Sequence, residues 1–480
     1  MSDLAQLSAT DCRAGYAAGE ITPVEVIRAV LDRLALVEPA INAFAHVDEA
    51  GALAAAKASE ARWRAGAPLG PLDGVPVSVK DMLPTRGMPT RKGSRTTDPD
   101  APRDVDAPAV ARLRAGGAVL YGKTTTTEFG GSPYSSSPLT GVTRSPWHLG
   151  HGVSGSSMGT AAQLAAGVGT LGLANDAAGS IRMPASFGGC FGIKPSFGLV
   201  ATWPPSAAGI LGHTGPMGWG VAEVAGMLAV IAGPDPRDPY ALPRGAVPLD
   251  PGPGALDGLR VAYSPSLGIR PPDPEVRALT DAAARTFADL GAEVTEVDPD
   301  LSGLFEAYDC LRICNRARAY RASGAAGRKG EMDEIVARVI GQAQAYGVDD
   351  YVAALAHRET LASRMRRFHE RHDLLLTPTM ATLPLPIGTG PGPGDAHWYQ
   401  IGGKVWSPYT FAFNMTQQPA ASIPCGLASR PETPGILLPV GLQIVGAPYA
   451  DALVLRAALA YETTRDWARP AFPFTGGEDV

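Results

Sequence analysis

The 480-residue chain predicts an α/β fold, a sheet covered on both faces by helices. Three observations carry that expectation. Apolar strand-like runs recur at 75–79, 118–121, 168–174 and 259–263. Helical patterns alternate with them, as at 108–115 and 274–290. The composition, 45% hydrophobic and 18% charged, is that of a globular protein able to bury a large core without disulfides or metals.

The elements follow in order. Residues 1–67 read as helical: Thr22-Pro23-Val24-Glu25 forms a capping box with Pro at the first helical position, ahead of Val26, Ile27, Val30 and Leu34. The stretch 75–79 alternates as a strand and delivers Lys80 and Asp81 at its end. A helix over 108–115 and a strand over 118–121 come next. The Gly-, Ser- and Pro-rich segment 130–160 runs directly into a small-residue helix (160–167) and an apolar strand (168–174). That position marks a functional loop rather than a tether. The strand ends at Asn175-Asp176 and leads to Ala177-Ala178-Gly179-Ser180.

Prolines crowd 232–258, which reads as a surface excursion within a single domain spanning 1–480. Around it lie a core region at 68–231 and a variable region at 300–408. The latter is mostly helical over 301–372, with a Pro/Gly loop at 385–397. No repeat of fixed period is present.

Several functions are disfavoured. Net charge is −6 without a Lys/Arg run, so nucleic acid and anionic membranes are poor partners. Five cysteines (Cys12, Cys190, Cys310, Cys314, Cys425) are scattered and read as reduced thiols; Cys310 and Cys314 lack neighbouring ligands for a metal. The first residues lack a basic start and an apolar stretch, and no run approaches the roughly 18 apolar residues of a membrane span. A cytoplasmic protein is expected.

A single serine means little without a group to activate it and donors to hold an oxyanion. Ser180 sits where a strand gives way to a turn of side chains no larger than methyl, so backbone N–H groups can approach a substrate oxygen. An ordinary strand-to-helix turn is the plainer alternative. None of the eight histidines is flanked by a motif that marks a base. Ser157 fits G-x-S-x-G within Gly155–Gly159, but that motif needs a preceding strand, and 145–154 reads as turn-like. Lys80 can act as base instead if burial lowers its pKa from about 10.4, although most lysines are surface charges.

Two stretches carry a resemblance: Ser154-Gly155-Ser156-Ser157-Met158-Gly159-Thr160-Ala161-Ala162, and Asn175-Asp176-Ala177-Ala178-Gly179-Ser180-Ile181-Arg182-Met183-Pro184-Ala185-Ser186. Together they resemble the amidase signature family. Lys80-Asp81, Gly122-Lys123-Thr124, Phe413-Asn414 and 439–446 fit the same family, so the likeness spans nearly the whole chain.

The resemblance implies one amidase-signature domain, a mixed β-sheet between layers of α-helices. It implies Ser180 as nucleophile, Ser156 as bridging serine behind a cis peptide bond, and Lys80 as base. It places the oxyanion on the N–H groups of Ala177, Ala178, Gly179 and Ser180. Ser157, Asp176 and Arg182 would support them, the last two as a brace or as a plain surface ion pair. Phe129, Gly130, Gly131, Ser132 and Tyr134 would line the acyl side.

Ser154, Met158, Thr160, Ala177 and Ala178 depart from the family's residues, and Gln417 stands where Gly is common. The form around Ala177-Ala178 is similar to a branch acting on nylon-type oligoamides, aryl amides and carbamates. The expected partner is a small amide or carbamate, with no cofactor or metal and with homodimerisation left open. Aromatic residues (Tyr308, Tyr346, Tyr351, Trp398, Tyr399, Trp406, Trp203, Trp219) are expected in part at the cavity mouth. Two alternatives stay open: a component of a tRNA-dependent glutamine amidotransferase, and an α/β-hydrolase esterase using Ser157 and a histidine.

Overall fold

The computed structural model describes residues 3–252, 255–391, 395, 397 and 399–476. Trp398 and Pro253 lie outside the described residues. Eleven strands form one mixed sheet. They are β1 (Phe44–Val47), β2 (Pro76–Lys80), β3 (Val119–Thr124), β4 (Leu171–Asp176), β5 (Phe191–Lys194), β6 (His213–Gly218), β7 (Arg260–Tyr263), β8 (Glu293–Glu296), β9 (Leu374–Pro378), β10 (Ala420–Ala428) and β11 (Leu438–Gly446). Their spatial order is β1-β3-β2-β4-β6-β5-β10-β11-β9-β7-β8. β2 runs parallel to β3 and β4, and β7 parallel to β8 and β9, while the centre is antiparallel.

Both faces are buried, and the two-residue period of a strand sends alternate side chains to separate cores. On β9, Leu374 and Leu376 join a core with the helices Val221–Ile231, Pro274–Asp289 and Asp451–Glu462. Leu375, between them, joins the opposite core with the helices Leu304–Ala322 and Val348–His369. Ile444 and Val445 on β11 divide in the same way.

The capping box forms as expected: Thr22 N–H donates to Glu25 at 2.7 Å and Glu25 N–H to Thr22 Oγ1 at 3.1 Å, with Pro23 opening the helix Pro23–Ile41. Two expectations need correcting. The region 1–67 is not wholly helical, because Phe44–Val47 pairs antiparallel with β3 as the sheet's edge strand. Four residues between two long helices are too few to display a period. The stretch 145–154 is not turn alone either: His148–Gly152 pairs with Arg144–Ser145 in a small ribbon outside the main sheet. Its glycines and histidines carry no β-branched signal.

Among the described residues no helix is long and apolar enough to cross a membrane.

Candidate active site

β2 and β4 are parallel neighbours, and their C-terminal ends deliver Lys80 and Asp176 to the same edge of the sheet. Ligand sites of α/β sheets form at such edges, where chain segments diverge and leave room. The loop after β4 carries Ala177–Ser180, and the loop before the helix Met158–Ala165 carries Ser156. Ser156 and Ser180 line one cavity of about 180 Å³. Ser157 N–H donates to the Ser180 carbonyl at 3.3 Å, which ties the two serine-bearing loops together.

Lys80 is fully buried, and its Nζ lies 2.7 Å from Ser156 Oγ. Its only other hydrogen-bond partner among the described residues is the Asn175 carbonyl, at 3.4 Å. Burial drives its pKa well below the usual lysine range; Asp176 opposes the shift and Arg316 adds to it. A neutral amine at this distance can take the Ser156 proton. The Gly155–Ser156 peptide bond is cis. Gly130 (φ 63°) packs so closely that a Cβ there would stand 3.1 Å from Ser156 Oγ, and only glycine leaves this approach clear.

The loop that presents Ser180 is held by a buried ion pair, not by a surface one. Asp176 and Arg182 meet at 3.0 Å with both side chains inaccessible to solvent. Burial raises the Asp176 pKa, but the guanidinium and the Asn414 amide outweigh it and hold the carboxyl below its ordinary range. Every strand of this brace comes from a different part of the chain. Arg182 donates to the Thr410 carbonyl, Gln443 Oε1 and Asn414 Oδ1, each at 2.7 Å. Asn414 returns a bond to Asp176 at 2.9 Å, and Thr410 Oγ1 donates to the Ala178 carbonyl at 2.6 Å.

The same carboxylate takes up one of the four N–H groups expected to hold an oxyanion. Gly179 N–H donates to Asp176 Oδ1 at 2.7 Å, and Ile181 N–H to Oδ2 at 3.1 Å. Gly179 is therefore engaged in shaping the turn. The N–H groups of Ala177, Ala178 and Ser180 find no acceptor among the described residues.

Of the remaining expected residues, Phe129 and Gly130 line the cavity with both serines. Gly131 and Ser132 line a small recess that also reaches Ser180. Tyr134 does not reach Ser180: with Trp406 at 5.6 Å between ring centroids it walls an adjoining cavity of about 280 Å³. The turn after Gly131 carries it there. Ser157 is buried and touches neither cavity. Its hydroxyl has no partner among the described residues, so no histidine stands in reach to activate it.

Among the aromatic residues, Trp203 lines the main cavity and Tyr308 the recess. Tyr399 is core, Tyr346 and Tyr351 pack against it, and Trp219 lies under Arg469 far along the sheet. Sequence reasoning missed Arg312, Arg316 and His213. His213 pairs with Asp176 across β4 and β6 and lines the cavity; burial holds it neutral, well below its usual pKa.

Residues 25–455 match the family model described as Amidase. The chain belongs to the amidase signature family. Among curated relatives, an acylamidase of Rhodococcus erythropolis is 33% identical over 476 residues, covering 96% of each chain. A glutamyl-tRNA(Gln) amidotransferase component from Symbiobacterium thermophilum is 36% identical, covering 98% of this chain and all of that one. A solved bacterial aryl acylamidase superposes with TM-score 0.87 at 27% identity, covering 96% of this chain and 97% of that one. So does 6-aminohexanoate cyclic dimer hydrolase, with TM-score 0.87 at 28% identity over 98% and 99%. As a family member this amidase is an amidohydrolase acting on non-peptide C–N bonds.

Proposed function

We propose that the chain, acting as one catalytic domain, hydrolyses amides through Ser180, Ser156 and Lys80, and that aryl amides are its preferred substrates. Aryl carbamates and short nylon-type oligoamides are extensions of the same chemistry. The observation that carries this reading is the 2.7 Å contact between a buried, depressed-pKa Lys80 and Ser156, at the foot of the cavity that Ser180 lines.

Neutral Lys80 takes the Ser156 proton as Ser156 takes that of Ser180, whose Oγ forms a bond to the substrate carbonyl carbon. The carbonyl oxygen, now negative, is held by N–H groups of Ala177, Ala178 and Ser180. As the tetrahedral centre collapses, the C–N bond breaks and Ser156 passes a proton to the nitrogen, since an amine leaves poorly without one. Water then attacks the acyl-enzyme by the reverse relay, giving the acid and free Ser180. An aniline is far less basic than an alkylamine and leaves more readily.

The likeness to an amidotransferase component favours a second reading, release of ammonia from glutamine for a protein partner. Rates on 4-nitroacetanilide and an N-aryl carbamate against acetamide and glutamine separate the two. A higher kcat/KM for glutamine, or co-purification with a partner that accepts ammonia, overturns the aryl reading while leaving the triad intact.

A further inference from the structure

Lys92 reaches the main cavity through a turn that the triad does not need. It stands in the left-handed region (φ 55°), where few residues other than glycine sit. The turn is held from three sides. Lys92 N–H donates to the Asp81 carbonyl at 3.0 Å, and the Lys92 carbonyl accepts from Phe129 N–H at 2.8 Å. The buried Asp81 carboxylate accepts the N–H groups on either side of it, those of Arg91 at 3.1 Å and of Gly93. Gly93 (φ 63°) is clamped in turn, since a Cβ there would collide with the Thr126 carbonyl oxygen.

The side chain so delivered is half-buried and lines the cavity with both serines. Among the described residues its ammonium has no hydrogen-bond partner, and no carboxylate lies in ion-pair reach. Asp81, the one carboxylate that acts on it, is taken up by Lys123 at 3.4 Å and by the turn itself. The cavity lining carries three cations, Lys92, Arg316 and Arg318, against one carboxylate among the described residues, Asp176, which is committed to Arg182. Burial lowers the Lys92 pKa, with Asp81 opposing. Taking an ammonium out of water is a cost that a bound anion offsets.

Position decides which part of the substrate carries that anion. A Cβ at Gly130 would meet Ser156 Oγ at 3.1 Å and Met82 Cε at 3.8 Å, so Ser156 and Met82 flank one spot. Met82 follows Asp81, which anchors Lys92, so Ser156, Met82 and Lys92 share one wall of the cavity. Ser156 protonates the departing nitrogen, and the nitrogen substituent therefore lies along that wall. The cavity holds about 180 Å³, against roughly 150 Å³ for one that takes benzene, so it has room for a single ring.

We propose that Lys92 binds an anionic substituent on the leaving amine, which makes N-acyl aminobenzoates, anilides with a carboxylate on the ring, the favoured substrates. The inference rests on the reading of Ser180, Ser156 and Lys80 as the triad and narrows its aryl amides by charge. An ammonium is a compact point charge on a flexible stem, so it suits a carboxylate whose place on the ring varies.

The test measures kcat/KM for 3- and 4-acetamidobenzoate against the matching acetamidobenzamides and takes the acid-to-amide ratio within each protein. The ratio cancels any general loss of rate, and comparing it between proteins cancels the electronic effect of the substituent. For at least one isomer, wild type should exceed Lys92→Met in this ratio by about tenfold or more, the range of a hydrogen bond to a charged group. Lys92→Arg should recover part of it. A ratio unchanged in Lys92→Met for both isomers overturns the proposal.

Calorimetry on the Ser180→Ala protein with 3- and 4-aminobenzoate and with aniline tests the subsite without turnover. An aminobenzoate should bind more tightly than aniline, and adding Lys92→Met should remove the difference. Equal binding of acid and aniline, or a difference that survives the second substitution, counts against the subsite. Absence of hydrolysis of every anilide, 4-nitroacetanilide included, with aminobenzoate binding still dependent on Lys92, would instead break the reading of Ser180 and keep the anion subsite.

Discussion

The floor and the wall of the cavity are built on opposite plans. The floor, at the ends of β2 and β4, is braced by side chains that saturate one another: Asp176, Arg182, Asn414, Thr410 and Gln443 fix the turn that holds Ser180. The wall, on Leu304–Ala322, keeps guanidinium donors in reserve. A saturated network has one low-energy arrangement and suits groups that must be in place before the reaction starts. The contrast teaches that the two sides of the cavity can be perturbed separately in this molecule.

The largest expected effect on that contrast is at the floor. Ser180→Ala should lower kcat/KM on 4-nitroacetanilide by at least a thousandfold, in the range of a lost nucleophile. Ser180 is only 7% exposed, yet its hydroxyl has no hydrogen-bond partner among the described residues, so stability should change by about 0.5 kcal/mol or less in a thermal melt. Residual activity above about a thousandth of wild type would point to a different nucleophile.

Two buried lysines on neighbouring strands sharpen the comparison further. Lys123 on β3 donates to the Leu83 and Pro89 carbonyls at 2.9 and 3.1 Å and lies 3.4 Å from Asp81; burial lowers its pKa to about 8. Lys80 has no carboxylate in contact among the described residues, and burial takes its pKa well below the usual lysine range. A base acts when deprotonated, so activity should rise as pH rises through the Lys80 pKa and stay high on the alkaline side. Lys80→Met should remove that limb and cost about a hundred- to ten-thousandfold in kcat. Lys123→Met should keep the limb and lower stability instead, by about 3–5 kcal/mol, because Asp81 is left buried and unpaired. A pH–rate profile and a melt on each variant check both statements. A lost alkaline limb in Lys123→Met would show that the base is not Lys80.

Asp176→Asn probes the floor's own saturation. It leaves Arg182 buried without its anion, a change worth about 3–5 kcal/mol, read from the unfolding midpoint. It also loosens the Gly179 and Ile181 N–H contacts that shape the turn before Ser180, so kcat should fall more than KM rises. A variant with wild-type kcat would show that the turn holds its shape without this carboxylate.

How much of this was legible in the sequence follows the same division. The floor was readable because its parts are local and patterned: a strand ending in Lys80, a strand ending in Asp176, and small residues before Ser180. The partners of Arg182 other than Asp176 could not be read, since they lie more than two hundred positions away and only folding brings them in. The arginines of the wall were hidden by their own type. Asp309, Arg312 and Arg316 lie on one stripe of a helix, and charged side chains on a helix ordinarily face water. The available signal was the setting: the residues around that stripe, Tyr308, Cys310, Leu311 and Ile313, are apolar or aromatic and buried, which leaves the helix no wet side there. The edge strand Phe44–Val47 was missed for the opposite reason, being too short to carry any pattern.

The smallest expected effect concerns two residues other than glycine that hold a backbone conformation glycine favours. Ser154 (φ 61°) and Gln417 (φ 65°) both sit in the left-handed region. Each compensates with its side chain: Ser154 Oγ donates to the Pro133 carbonyl at 3.1 Å, and Gln417 Nε2 to the Ile210 carbonyl at 3.0 Å. For Gln417→Gly, relief of the left-handed conformation is worth about 1–2 kcal/mol. Against it stand the lost hydrogen bond, about 1 kcal/mol, and the greater unfolded-chain entropy of glycine, about 0.5–1 kcal/mol. These nearly cancel, so stability should move by less than about 1 kcal/mol in either direction. Gln417 borders a separate surface hollow with Arg358 and Tyr449, so kcat/KM should stay within about twofold of wild type. A loss beyond about 2 kcal/mol would show that the Ile210 contact, and not the backbone, decides the residue at this position.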